Sequence, residues 1–202
     1  MPTLMSRLRT SLSILVIGSL TGCSPAAEPP SLPKPSQELT ILEYKVKAGF
    51  LYNFAKLTEW ATNAFATADA PVVVCVIGDD PFGKSLDDTL HGKTVGERKI
   101  VVQRFKHINE VGTCHILFIS ASERERLASI FVHIADKPIL TVSDLENFAR
   151  IGGMIGLRKT DDGPKFEINL HAVERAGLRL DSRLLRLAGI VTEGDPRPKE
   201  RT

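Results

Sequence analysis

Six consecutive residues, Val72-Val73-Val74-Cys75-Val76-Ile77, are apolar and four of them are valine before the closing isoleucine. β-Branched side chains are stiff at χ1 and pack well on a pleated surface, so the run favours a strand. Because the run is unbroken rather than alternating, both faces of its sheet must be covered, as in a parallel sheet. This feature constrains the chain to an α/β arrangement. Shorter runs of the same kind lie in residues 98–105 (Ile100, Val101, Val102), 115–119 and 139–142.

Helical patterns separate the runs. In residues 41–60, Leu42, Val46, Phe50, Phe54 and Leu57 recur at helical spacing, with Leu51 and Ala55 alongside. Glu43, Lys45, Lys47, Lys56 and Glu59 fall mostly on the other side, so the segment reads as an amphipathic helix on a core. Residues 61–70 read as a loop ended by Pro71. Gly78-Asp79-Asp80-Pro81-Phe82-Gly83 turns the chain into a predicted helix over 81–90, with Asp80 as cap and Pro81 at its first position. Residues 120–134 read as a helix with Ser122 and Glu125 at capping-box spacing.

Strands alternating with helices imply right-handed βαβ units. The expected fold is therefore three-layer α/β, a mostly parallel sheet flanked by helices on both faces. In the 2-1-3-4-5 order common to such sheets, the first and third strands are neighbours. The pattern then changes. Residues 154–159 and 165–170 read as strands joined by Thr160-Asp161-Asp162-Gly163-Pro164, a C-terminal antiparallel hairpin. Helical pieces over 171–176 and 182–190 close a domain expected to span 41–192, and 193–202 reads as a polar tail. Hydrophobic residues are 43% and charged residues 25%, a globular balance that argues against wholesale disorder.

The N-terminus indicates a compartment. Arg7 and Arg9 precede an apolar stretch from Leu12 to Leu20, too short to span a bilayer but suited to a signal-peptide core. Leu20-Thr21-Gly22-Cys23 resembles the bacterial lipobox, which implies cleavage after residue 22 and lipidation of Cys23. Ser24 follows the cysteine, which by resemblance to enterobacterial sorting favours the outer membrane. Residues 23–40, rich in proline and small polar residues, read as a tether between lipid and domain. Removing Arg7 and Arg9 with the leader leaves 24 bases against 24 acids. A neutral chain argues against a polybasic partner surface, and no nucleic-acid partner is expected.

Across the folded part, separate runs in fixed order are similar to the YfiR family of periplasmic proteins. They are Val46-Lys47-Ala48-Gly49-Phe50-Leu51-Tyr52-Asn53-Phe54-Ala55-Lys56 with Glu59-Trp60, then Val76-Ile77-Gly78-Asp79-Asp80-Pro81-Phe82-Gly83, then Cys114-His115-Ile116-Leu117-Phe118-Ile119-Ser120. Leu140-Thr141-Val142-Ser143-Asp144, Phe148-Ala149 with Gly152-Gly153-Met154-Ile155, and Phe166-Glu167-Ile168-Asn169-Leu170 complete the set. The resemblance covers residues 43–191. It implies an α/β fold and repression of a membrane-bound diguanylate cyclase through that enzyme's periplasmic sensor region. The chain departs from the best-known members in carrying a lipobox and in lacking a second cysteine pair.

Cys75 and Cys114 fall in the first strand and at the start of the third, which the expected order makes neighbours. The resemblance places a disulfide between them, in an oxidising compartment, with Cys23 taken by lipid. Two buried thiols or a redox switch are the alternatives. Asp79, Asp80 and Asp144 follow predicted strands, where ligand sites form in doubly wound sheets. Gly78, Asp79, Asp80, Phe82 and Asp144 are therefore the candidate ligand pocket, against a plain reading of turns and caps. A receiver-like phosphoacceptor is disfavoured by a compartment without a nucleotide phosphate donor.

His91, His107, His115, His133 and His171 form no i, i+4 metal pair, and no nucleophile, P-loop or dinucleotide motif occurs. No catalytic residue, metal or cofactor is expected. Two stretches are candidate partner surfaces: Phe50, Tyr52, Phe54 and Trp60 on the first helix, and Leu184 and Leu187, with Leu185, Ile190 and Val191, on the last. An aromatic stripe at helical spacing is also what a core helix carries. The function expected is non-enzymatic regulation of a cyclase or related sensor protein, with membrane contact through the lipid and a homodimer admitted. A small-ligand module and an accessory regulator of a sensor histidine kinase are the alternatives.

Overall fold

The computed structural model describes residues 35–135, 137–160 and 163–194. Helix α1 (Pro35–Leu57) leads into a short strand β1 (Thr58–Glu59). The next elements are β2 (Val72–Ile77), α2 (Lys84–Leu90), β3 (Thr94–Val95), β4 (Arg98–Phe105), β5 (Ile116–Ile119), α3 (Leu127–Ile134) and β6 (Leu140–Ser143). The hairpin β7 (Ile155–Thr160) and β8 (Gly163–Asn169) follows, then α4 (Leu170–Arg175), β9 (Arg179–Leu180), α5 (Ser182–Leu185) and β10 (Gly189–Val191). No described helix is long and apolar enough to cross a membrane.

The main sheet has the order β10-β8-β7-β6-β5-β2-β4-β3. Strand β2 lies parallel to both β4 and β5, with Val74 opposite Ile116 and Cys75 opposite Leu117. β5, β6 and β7 continue in parallel, and β7 and β8 pair antiparallel. The expected three-layer sheet with its terminal hairpin is what forms, and the first and third long strands are neighbours. β1 and β9 make a separate two-stranded ribbon.

Period-two geometry divides the apolar runs between two cores. Val72, Val74 and Val76 meet α1, α2, α4 and α5 in one cluster. Val73, Cys75 and Ile77 meet α3 in the other. A strand buried in this way on both sides has to be apolar at every position, which accounts for the unbroken run.

Several boundaries differ from expectation. α1 begins at Pro35 rather than 41, with proline at the first position and Glu38 in the first turn. Residues 35–40, expected as tether, are therefore helix. α2 starts at Lys84, not 81, and Asp80 is not its cap. Asp80 Oδ1 instead accepts the Phe82 N–H at 2.8 Å, closing a turn. The helix expected over 120–134 is a 3-10 helix over Ala121–Arg126 and then α3. Ser122 makes no capping box, because its hydroxyl accepts the Asp79 N–H. The helix expected over 182–190 ends at Leu185, and Gly189–Val191 pairs parallel with Glu167, Ile168 and Asn169. There the strand preference of Ile190 and Val191 wins. The leader, Cys23 and most of the tail lie outside the described residues.

Two glycines are dictated by close approach. A Cβ at Gly78, whose φ is +87°, would lie 2.4 Å from Ser122 Oγ. One at Gly153 would lie 2.2 Å from the Phe148 ring.

Candidate functional site

The carboxyl ends of β2 and β6 meet the amino-terminal half of α1. Asp144 Oδ2 accepts a hydrogen bond from the Tyr44 hydroxyl at 2.9 Å and another from Lys47 Nζ at 2.7 Å. Lys47 is buried and also pairs with Glu43 at 2.8 Å. Its ammonium sits 4.2 Å from the Tyr44 ring centroid. Tyr44 packs edge-on against Phe82, and Phe82 against Phe118 in β5. Burial works to discharge Lys47, but the hydrogen bonds to Asp144 and Glu43 outweigh it, so its pKa lies above the ordinary value. Burial, then the Asp144 charge, pushes the Tyr44 hydroxyl up. Glu43 is held below the usual carboxylate range by its hydrogen bond from Lys47. The cluster latches α1 over the sheet.

The other candidate pocket residues are engaged nearby. Asp80 Oδ2 accepts from Arg104 Nε at 2.7 Å, and Arg104 also pairs with Asp87 at 2.6 Å. Those bonds, to Asp87 first, raise the Arg104 pKa. Asp79 is exposed and pairs with Lys106 at 3.0 Å. The structure thus brings Phe82 and Asp144 together through Tyr44, while Asp80 faces Arg104 of β4 and Asp79 faces Lys106 just after it. Among the described residues no group of three or more His, Cys, Asp or Glu side chains could hold a metal ion.

A second feature lies on the solvent side of the same helix. Leu39, Leu42, Val46 and Phe50 face Leu157 and Pro164 of the β7–β8 hairpin across a groove of about 290 Å³. Leu39 is 67% exposed, Leu42 58% and Val46 40%. Phe50 floors the groove, packing on Phe54 at 6.0 Å and Phe166 at 5.5 Å between ring centroids. Lys159 pairs with Glu43 across it at 3.1 Å, and Arg158 pairs with Glu167 at 2.7 Å.

Of the expected partner residues, Phe50 alone lines this groove. Phe54 and Leu184 are fully buried in the core and offer no surface. Tyr52 is half-exposed between Lys56 and Lys93, 5.4 and 5.7 Å from its ring centroid. Trp60 lies edge-on to Phe65 and His115, and Leu187 is exposed elsewhere. Sequence reasoning missed Leu39, Leu157 and Pro164. The signal was the Leu39, Leu42, Val46, Phe50 spacing, hidden because Leu39 was assigned to the tether.

Cys75 and Cys114 are both buried; Cys75 Sγ donates to Thr113 O at 3.9 Å and Cys114 Sγ to Ile116 O at 3.2 Å. Burial, then the neighbouring Cys75, pushes the Cys114 thiol up. Beside them, His115 Nδ1 accepts the Val73 N–H at 3.1 Å, so Nε2 carries the proton and donates to Ala64 O at 3.2 Å. Phe65 stacks on the imidazole at 4.4 Å. This histidine pins the 61–70 loop to the sheet, and burial holds its pKa below the usual value.

The YfiR/HmsC-like family pattern matches residues 44–189, well over half the chain and nearly the whole fold described above. The chain belongs to the YfiR/HmsC-like family. Its motif residues have structural tasks here: Lys47 and Asp144 form the latch, Gly78 and Gly153 allow close packing, and Phe166 carries the groove floor. The family is one of periplasmic regulators, generally without enzymatic activity, and is associated with cyclic-di-GMP signalling.

Proposed function

We propose that this protein is a non-enzymatic periplasmic regulator that represses a membrane-bound diguanylate cyclase, or a related sensor protein, by binding its periplasmic sensor region. Family membership supports the class of activity. The observation that carries the binding mode is the exposed apolar stripe on α1 beside the hairpin groove. Large exposed apolar side chains in one contiguous strip mark interaction surfaces. Repression by binding is a shift of population: the regulator must bind the inactive sensor state better than the active one.

Export and lipidation of Cys23 would hold the regulator at the envelope, with the outer membrane favoured by Ser24. In that oxidising compartment Cys75 and Cys114 would join in a disulfide closing a loop of about 40 residues, worth about 4 kcal/mol in the chain-entropy model. A reductant should then lower the melting temperature of the exported protein and leave Cys75→Ser unaffected.

The direct test is cellular cyclic-di-GMP in a strain lacking the protein, with and without complementation. A rise on deletion that complementation reverses is expected. Unchanged cyclic-di-GMP in both strains would overturn the cyclase reading.

A further inference from the structure

We propose that His115 is a proton-operated catch for the 61–70 loop: one proton taken from solvent onto Nδ1 severs the ring from β2 and lets the loop lift from the sheet. The catch is a property of the fold, and the regulator reading supplies only what its opening controls.

The loop is tied down by side chains rather than by backbone. Its backbone hydrogen bonds are local turns: Ala64 N–H to Ala61 O, Phe65 N–H to Thr62 O and Ala70 N–H to Thr67 O. No residue of its 3-10 turn, Thr62–Ala64, is buried. His115 Nε2–H donates to Ala64 O at 3.2 Å. Arg98 of β4 donates to Thr67 O at 3.1 Å and to Ala70 O at 2.6 Å. Phe65 lies against both side chains, its centroid 4.4 Å from that of the imidazole and 3.8 Å from the guanidinium carbon. Next to them the Trp60 indole N–H is buried and has no acceptor among the described residues. Water reaching that donor on opening would satisfy it, so the closed loop already works against an opposing cost.

Nδ1 accepts the Val73 N–H at 3.1 Å in a buried site. A proton on Nδ1 sets two donors face to face and strands a buried backbone N–H, which loses its full desolvation energy. The His115 backbone is fixed, because its N–H bonds Val73 O and its carbonyl accepts from Leu140 N–H. Only the ring can move. Its contacts with the loop survive protonation: Nε2–H still donates to Ala64 O, and an imidazolium over Phe65 is a favourable cation–π pair. The ring therefore leaves β2 together with the loop. The surrounding charges favour that departure. Arg98 acts on the ring as a like charge, Asp69 in the loop is drawn to Arg98, and no carboxylate among the described residues pairs with the imidazole. Val73, Trp60 and Phe65, the other groups against the ring, are uncharged. Burial first, then Arg98, holds the closed ring below the ordinary value of 6.5. The open form then binds more protons, and its population relative to the closed form grows by up to about tenfold per pH unit below that value.

The test uses Trp60, the single tryptophan of the chain, whose ring centroid lies 5.9 Å from that of His115. Acrylamide quenching of its fluorescence is followed in the full-length protein from pH 7.5 to 5. Far-UV circular dichroism is recorded alongside, with hydrogen exchange of residues 61–70 referenced to residues 48–57. The expected result is a reversible rise in quenching of at least about twofold below pH 6.5, with loop protection falling over the same range and the dichroism unchanged. In His115→Asn, which keeps an acceptor for Val73 N–H, quenching and exchange should both be flat. If that variant does not fold, the native exchange profile decides alone. A native protein in which either signal stays flat overturns the proposal. So does a rise that His115→Asn reproduces, or one that appears only as the dichroism is lost. None of these signals involves a partner, so a cyclic-di-GMP level that ignores the protein removes the cyclase reading and leaves the catch standing.

Discussion

The two halves of α1 carry nearly the same kinds of side chain and put them to opposite uses. In the carboxyl-terminal half, Leu51, Phe54 and Ala55 are fully enclosed by the sheet. In the amino-terminal half, Leu39, Ile41, Leu42 and Val46 face solvent. The boundary is the latch at Tyr44, Lys47 and Asp144, beyond which the helix faces the groove beside the β7–β8 hairpin. The difference teaches that apolar spacing specifies a helix face but not what covers it. One half is covered by this chain, and the other stands open beside a groove.

The contrast can be broken at its strongest point first. Phe54→Ala should cost about 3–5 kcal/mol, the usual loss for a buried phenylalanine, and lower the denaturant midpoint accordingly. A loss under 1 kcal/mol would mean that the carboxyl-terminal half is not core. Lys47→Ala strands Asp144 in a site where the lysine was its buried partner. Removing one member of such a pair costs about 3 kcal/mol. The double variant Lys47→Ala/Asp144→Ala should recover part of that loss, and simple additivity would dissolve the latch.

A pH effect comes next. His115 is held neutral in the fold and ordinary when unfolded, so the unfolded chain binds more protons as pH falls below 6.5. Stability is fully present above pH 6.5 and is lost as pH drops toward the lowered folded pKa. The lowered carboxylates, Glu43, Glu123 and Glu193 together with Asp69 and Asp181, act in the other window, below about 4.5. Melting measured from pH 7.5 to 5 should fall in the native protein and be flatter in His115→Asn, which keeps an acceptor for Val73 N–H. Parallel curves would assign the loss elsewhere. The smallest effect belongs to the open half: Leu42→Ser should change stability by less than about 0.5 kcal/mol. A loss above 2 kcal/mol would show that this half is already covered.

Most of the fold was legible in the sequence because its central strands β2, β5 and β6 are buried on both sides. Val72 to Ile77 could hardly be anything else, and the turn at Gly163-Pro164 announced the hairpin. Where two local preferences competed, the reading failed. Asp80 offered itself as a helix cap but closes its own turn and pairs with Arg104. Gly189-Ile190-Val191 continued a helical pattern but found a strand edge at β8. The candidate site was legible only in part. Asp144 was singled out by its place after a strand, yet its partners Tyr44 and Lys47 lie about a hundred residues away in the chain. The groove needs the hairpin to come back against α1, a long-range closure that no local pattern encodes. Phe50 and Phe54 differ by one helical turn and both pack on Phe166 of β8, at 5.5 and 5.3 Å between ring centroids, yet only Phe54 is fully buried.

The central claim is that the open half of α1 is where regulation happens. Its most direct measurement is cyclic-di-GMP in a deletion strain carrying the native protein, Leu42→Arg/Val46→Arg, or nothing, with export and melting of each protein checked alongside. The expected result is full repression by the native protein and none by the double variant, although that variant is exported and melts at the native temperature. Full repression by the folded double variant would contradict the account.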